Sequence, residues 1–126
     1  MMNKIFLFII LLTSSLLSSQ NFVGEKFRLS ADSDNIVITF EDLNSDGVYI
    51  DGVLTKSFGR LTITKKQFKS TFLSNLKKIS SKTDYDIVED VYRLDKYSFD
   101  DNVVFITVNG KIGSITTKEI KELRKL

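Results

Sequence analysis

The chain has no cysteine and no histidine, and these two absences exclude more chemistry than any motif it contains. The commonest zinc, copper and haem ligands are missing, and so are the cysteine nucleophile and the histidine general base. Ser-His-Asp and Cys-His hydrolases are therefore excluded. No disulfide can form, so stability must come from core packing, and 126 residues suffice for one domain with its own core. There is no tryptophan, and in such a chain aromatic residues on strands are read as core before they are read as stacking surfaces. No Asn-x-Ser/Thr acceptor, Walker loop or dinucleotide fingerprint occurs. An excess of one charge is also lacking: 18 basic side chains stand against 16 acidic ones, net +2. That balance argues against a nucleic-acid partner.

One long apolar run is present, at the start. Met1 to Lys4 is a short positive segment and Ile5 to Leu12 is unbroken apolar, followed by Thr13 to Gln20, rich in serine. This is the pattern of a secretory signal peptide, with cleavage expected after Ser19. Counted from Ile5 to Leu17 the apolar part has 13 residues, against about 20 for a spanning helix. With no cysteine there is no lipid-modified anchor either. Residues 1–19 are thus expected to be a leader and residues 20–126 a single small α+β domain, secreted or periplasmic, with no stable membrane anchor after cleavage.

The rest is organised around Ile63-Thr64-Lys65-Lys66-Gln67-Phe68. Thr64 and Gln67 form a capping box, with Ile63 and Phe68 as the hydrophobic staple. Phe68, Phe72, Leu73, Leu76 and Ile79 then line one face of a helix from Lys65 to Ser80 or Ser81. The same start recurs 52 positions later at Ile115-Thr116-Thr117-Lys118-Glu119-Ile120. It predicts a short C-terminal helix with Ile120, Leu123 and Leu126 on its apolar edge.

Strands are expected on both sides of the long helix. Phe22 to Ser30 alternates Val23, Phe27 and Leu29 against Lys26 and Arg28, and Ile36 to Glu41 alternates again. Asp42 to Gly47 breaks the pattern, Val48 to Asp51 resumes it, and Val53 to Ile63 reads as one strand bulged near Gly59. Tyr85 to Phe99 reads as strand by its β-branched and aromatic content. Val103 to Val108 is apolar in both phases, as a strand covered on both faces would be. Asn109-Gly110 marks a type I′ hairpin. The expected fold is α+β and two-layered: an antiparallel sheet of about five to seven strands, the long helix packed on a face and the short C-terminal helix beside it.

Charge falls in blocks. Asp32 to Asp51 holds six acidic residues and no basic one, Lys56 to Lys82 eight basic and no acidic, and Asp84 to Asp101 seven acidic and two basic. Lys65, Lys66 and Lys69 crowd the positive end of the long helix, where acidic residues are favoured. Unpaired amides and lysines together suit a phosphate, sulfate or carboxylate, so these three lysines are the candidate anion-binding residues.

Other constellations are weaker. Asp42, Asn44, Asp46 and Gly47 resemble the opening of the calcium loop of EF-hand and dockerin proteins. Val53 stands where those families place a bidentate acid, Asp51 is two residues early, and the flanks read as strands, so the stretch is expected to be a turn closing a hairpin, with no metal bound. Ser70 follows Lys66 by one helical turn, a spacing at which a Ser-Lys pair can meet. Tyr92 and Tyr97, with Arg93 and Lys96, could form a sugar- or base-stacking surface, the core reading being preferred. No catalytic residue and no cofactor is implied. The expected function is a small exported, non-enzymatic binding module whose partner is a protein with an acidic surface or a small anionic ligand. The alternative is a small hydrolase using carboxylates or the Ser-Lys pair.

Overall fold

A computed structural model of the protein describes residues 22–125. The expected leader at 1–19, and Leu126 of the C-terminal helix, lie outside the described residues. In chain order the strands are β1 (Phe22–Val23), β2 (Phe27–Asp32), β3 (Asn35–Glu41), β4 (Val48–Ile50), β5 (Val53–Thr55) and β6 (Phe58–Thr64). The long helix α1 covers residues 65–80, and β7 (Tyr85–Val88), β8 (Arg93–Lys96), β9 (Val103–Val108), β10 (Lys111–Thr116) and helix α2 (Thr117–Leu123) complete the chain. One antiparallel sheet holds the order β1-β2-β3-β6, a second β10-β9-β8-β7, and β4 pairs only with β5.

The mixed α and β composition and the two helices agree with expectation, but the single sheet of five to seven strands is corrected to three sheets of shorter strands. Three expected strands are each divided. Phe22 to Ser30 folds back on itself, with Gly24 N donating to Phe27 O at 2.8 Å and Val23 opposite Arg28. Tyr85 to Phe99 becomes the hairpin β7–β8, Ile87 opposite Leu94, with a 3-10 turn at Ser98–Asp100. Val53 to Ile63 divides at Lys56–Ser57, and its first part leaves the sheet. Alternation of period two is the same for one long strand and for two short antiparallel ones, which is why the pattern alone overcounts length.

The expected bulge at Gly59 is absent, because Gly59 sits in unbroken register opposite Phe40. Its role is space. The Phe40 ring, 1% exposed, lies where a side chain at Gly59 or at Gly113 would be, and a methyl at either would overlap it. One ring thereby joins β3 to β10 across the two sheets. Beside it Leu43 N donates to Ile112 O at 2.8 Å, and Ile112 N donates to Asp42 Oδ1 at 3.1 Å. β10 lies against β2, β3 and β6, whereas α1 covers β7, β8 and β9 and touches α2.

Both helix starts are as the spacing predicts. Thr64 Oγ1 accepts from Gln67 N at 3.0 Å and Gln67 Oε1 accepts from Thr64 N at 2.9 Å. Thr116 and Glu119 repeat the box at 3.1 and 2.9 Å. Phe68, Phe72, Leu76 and Ile79 are buried to within 1%, although residues Phe68–Phe72 wind as a π-helical turn. Asn109 and Gly110 take φ of 51° and 80°, the geometry of the expected type I′ turn. β9 is central in its sheet, yet only Val104, Ile106 and Val108 are buried while Val103, Phe105 and Thr107 are half-exposed. The expected cover on both faces is therefore present on one.

Gly113→Ala should destabilise the protein by about 1–3 kcal/mol through overpacking against Phe40. Phe40→Leu in the same chain should recover part of that loss, and urea melts of the two single variants and the double measure the coupling. Phe72→Ala should cost roughly 3–5 kcal/mol, against about 1 kcal/mol for Thr64→Ala at the helix cap. Additive losses at Gly113 and Phe40, or a milder loss at Phe72 than at Thr64, would contradict this packing.

Candidate functional site

At the start of α1, Lys66 and Lys69 are exposed and Lys65 is half-buried, and no acidic residue occupies the first turn. Among the described residues no carboxylate lies within ion-pair distance of the three. The amides of this turn are another matter. Thr64 N and Gln67 N are used by the capping box, and Lys65 N donates to Asp34 O at 2.9 Å. Of the four amides that a helix start leaves over, three are bonded within the protein. The lysines offer charge there, but little of the backbone cradle on which an anion site at a helix end depends.

A more complete arrangement lies on the outer face of the first sheet, where strand register brings together residues far apart in sequence. Val23 is opposite Arg28, Arg28 opposite Thr39, and Thr39 opposite Arg60. These four form one outward row across β1, β2, β3 and β6. At a strand spacing near 4.8 Å, Arg28 and Arg60 are separated by roughly 10 Å with the Thr39 hydroxyl between them. The next row places Glu41 opposite Phe58, with Glu41 N bonded to Lys26 O at 3.0 Å. A hollow of about 420 Å³ is lined by Val23, Lys26, Phe27, Arg28, Thr39 and Phe58 and by the two acids Glu25 and Glu41. Arg60 does not line this hollow but a second one of about 400 Å³, shared with Glu89, Asp90 and Arg93.

The charges of this hollow are not equally free. Lys56 Nζ is 2.9 Å from Glu41 Oε1, and the hydrogen bond and charge of Lys56, aided by Lys26, hold the Glu41 carboxyl below its ordinary value. The pair's contribution is present above the unfolded carboxyl range and is lost as pH falls through the lowered folded value. Lys26, Arg28 and Arg60 have no carboxylate within ion-pair distance among the described residues. A glycosidase pair would need one carboxyl with a raised pKa; Glu41 is displaced the other way. The β1–β2 turn that bears Lys26 is fixed from behind, as Glu25 N donates to Glu119 Oε2 at 2.6 Å. The α2 capping box thus also anchors one wall of the hollow.

The remaining expected groups are occupied elsewhere. Ser70 Oγ donates to the Lys66 carbonyl at 2.7 Å, so its hydroxyl proton points to the backbone and not to an amine. Asp42 is buried, and its Oδ1 accepts from Asn44 N and Ile112 N, both at 3.1 Å. The 42–47 stretch is a turn as expected, but it closes no β3–β4 hairpin, because β3 pairs with β6 and β4 with β5. Tyr92 is core: its hydroxyl and Glu89 Oε2 both accept from Asn75 Nδ2, and burial raises the phenol above its ordinary 10.0. Lys96 is buried, with Nζ on Ser80 O, and Arg93 is held by Asp95 and Asp86. Tyr97 departs from the core reading; it is partly exposed and stacks on Phe99 at 5.2 Å.

Comparison with family models, with curated proteins and with solved structures returns no match. Function therefore has to be read from these residues. Among the described residues no helix is long and apolar enough to cross a membrane.

Arg28, Thr39 and Arg60 escaped the sequence reading because only register unites them. A partial signal existed: Lys26 and Arg28 share the polar phase of their strand. At low salt Lys66→Glu should stabilise the protein by about 0.3–1 kcal/mol, since an acid replaces a lysine beside the positive helix end. Thermal melts at two salt concentrations check this. Destabilisation by that change would mean the lysine has an acidic partner in solution.

Proposed function

We propose that this protein is a non-catalytic binding module that takes an anionic group on the outer face of its first sheet. The observation that carries this reading is the row Arg28-Thr39-Arg60 beside Lys26, three cations without ion-pair partners among the described residues. Two guanidinium groups flanking a hydroxyl suit a carboxylate, sulfonate or phosphate, because charge-assisted and bidentate hydrogen bonds are the strong ones. Val23, Phe27 and Phe58 supply apolar walls, so the preferred ligand joins an apolar body to an anionic head. Pockets of this size commonly combine apolar walls with a few fixed polar groups. Export of the chain, with residues 1–19 removed, belongs to the same proposal and rests on the charged, apolar and serine-rich order of those residues.

Titration with an aromatic sulfonate dye, an apolar body with one anionic head, tests the site. Wild type should bind it saturably, and Arg28→Glu or Arg60→Glu should each weaken binding by roughly tenfold or more, the scale of one charged hydrogen bond. Lys66→Glu should leave it unchanged. Unaltered binding in both arginine variants would overturn the proposal, and a loss confined to variants of Lys65, Lys66 and Lys69 would move the site to the start of α1.

A further inference from the structure

β4 and β5 form a ribbon inserted between β3 and β6, whose last cross-strand pair is Glu41 with Phe58. Nothing covers it. Val48, Tyr49, Ile50, Val53 and Leu54 are 60, 74, 54, 64 and 47% exposed. Tyr49 is opposite Leu54 on one face, while Ile50 is opposite Val53 on the other. A two-stranded ribbon alone is marginally stable in water, and contiguous apolar surface of this kind marks an interaction site. Its tip is Asp51-Gly52, with Asp51 exposed at φ 51°. Asp46 stands at its base, and no lysine or arginine occurs from residue 42 to 55.

We infer that the ribbon of a second copy of this chain occupies the first hollow, its acidic tip set against Lys26 and Arg28. This deepens the reading above by naming an acidic partner for the same site. Complementarity of two kinds supports it. An acidic tip flanked by Ile50 and Val53 matches a hollow in which Lys26 and Arg28 stand among Val23, Phe27 and Phe58, Glu41 being neutralised by Lys56 and Glu25 left as the one other acid of its lining. Opposite potentials set register and select partners, and the apolar flanks supply the burial. None of residues 48–55 lines the hollow of its own chain. Phe58 lines the hollow and also begins the strand that leaves the ribbon, so donor and acceptor surfaces are neighbours. Two copies related by a two-fold axis then make both contacts at once, as an isologous dimer does.

A charge exchange tests this. Sedimentation of the chain as its host processes it should show a concentration-dependent dimer, of the modest affinity typical of small interfaces. Asp51→Lys and Arg28→Glu should each be monomeric at the concentration where wild type dimerises, with melting temperatures near that of wild type. An equimolar mixture of the two variants should dimerise again, since each ribbon then meets a hollow of opposite charge. Restoration in the mixture also excludes misfolding as the cause of the single losses. A wild type that stays monomeric, single variants that dimerise unchanged, or a mixture that does not reassociate would each overturn the inference. Dye binding separates this from the preceding proposal: loss of the dye in Arg28→Glu with a monomeric wild type keeps the anion site and removes the dimer. A restorable dimer whose monomeric Asp51→Lys variant, with its hollow unoccupied, binds no dye does the reverse.

Discussion

The Phe40 ring between Gly59 and Gly113 is the contact on which the arrangement of the two sheets depends. A ring can be enclosed that closely only where both facing residues lack a β-carbon, and the protein places a glycine on its own sheet and another on the opposing one. Close packing of this kind makes a core respond to the addition of single methyl groups. With no cysteine to cross-link the layers, this side-chain interlock and the hydrogen bonds that Ile112 makes with Leu43 N and the Asp42 carboxylate hold the corner. The outer rows follow from it, because the strand that turns Phe40 inward turns Thr39 and Glu41 outward.

What could be read from the sequence divides by distance along the chain. Thr64 with Gln67, Thr116 with Glu119, and Asn109 with Gly110 were legible because each device is complete within four residues, and its geometry follows from local hydrogen bonding and φ preference. The buried face of α1 was legible for the same reason, its spacing being intrinsic to the helix. Strand lengths were not, since the three-residue reversal at Gly24–Lys26 and the two-residue break at Lys56–Ser57 leave the alternation on either side intact. Gly59 illustrates the ambiguity: a lone glycine in a strand signals either a bulge or a close approach, and only the presence of Phe40 across the strand decides between them.

The candidate site was illegible in a stronger sense. Lys65, Lys66 and Lys69 draw attention because they are close in sequence, yet the amides beside them are largely bonded to Thr64, Gln67 and Asp34. Arg28 and Arg60 stand 32 positions apart in sequence and are brought near each other by two successive antiparallel pairings through Thr39. No periodicity within one strand encodes such a row; it is a property of register between three. The acidic and basic blocks of the sequence are neutralised only selectively in the structure. Glu41 takes Lys56 and Asp95 takes Arg93, while Arg28 and Arg60 have no ion-pair partner among the described residues.

The same insertion accounts for both exposed features. β3 and β6 are hydrogen-bonded neighbours from Asn35–Thr64 to Glu41–Phe58, so a short turn would have been enough to join them. The chain instead places residues 42–57 there, and those residues contain the Asp42 contact to β10, the apolar ribbon and the Lys56 partner of Glu41. Asp42 and Leu43 bind the base of the insertion to the second sheet, which orders it without covering its tip. An exposed two-stranded apolar ribbon is a liability in a folded protein, because unpaired strand edges and apolar faces promote association. Here it has only three residues per strand, ends in a charged turn and carries no cation, features that limit association to surfaces of opposite sign. A basic, apolar-walled hollow beginning at Phe58 is such a surface, and it arises from the strands that the insertion connects.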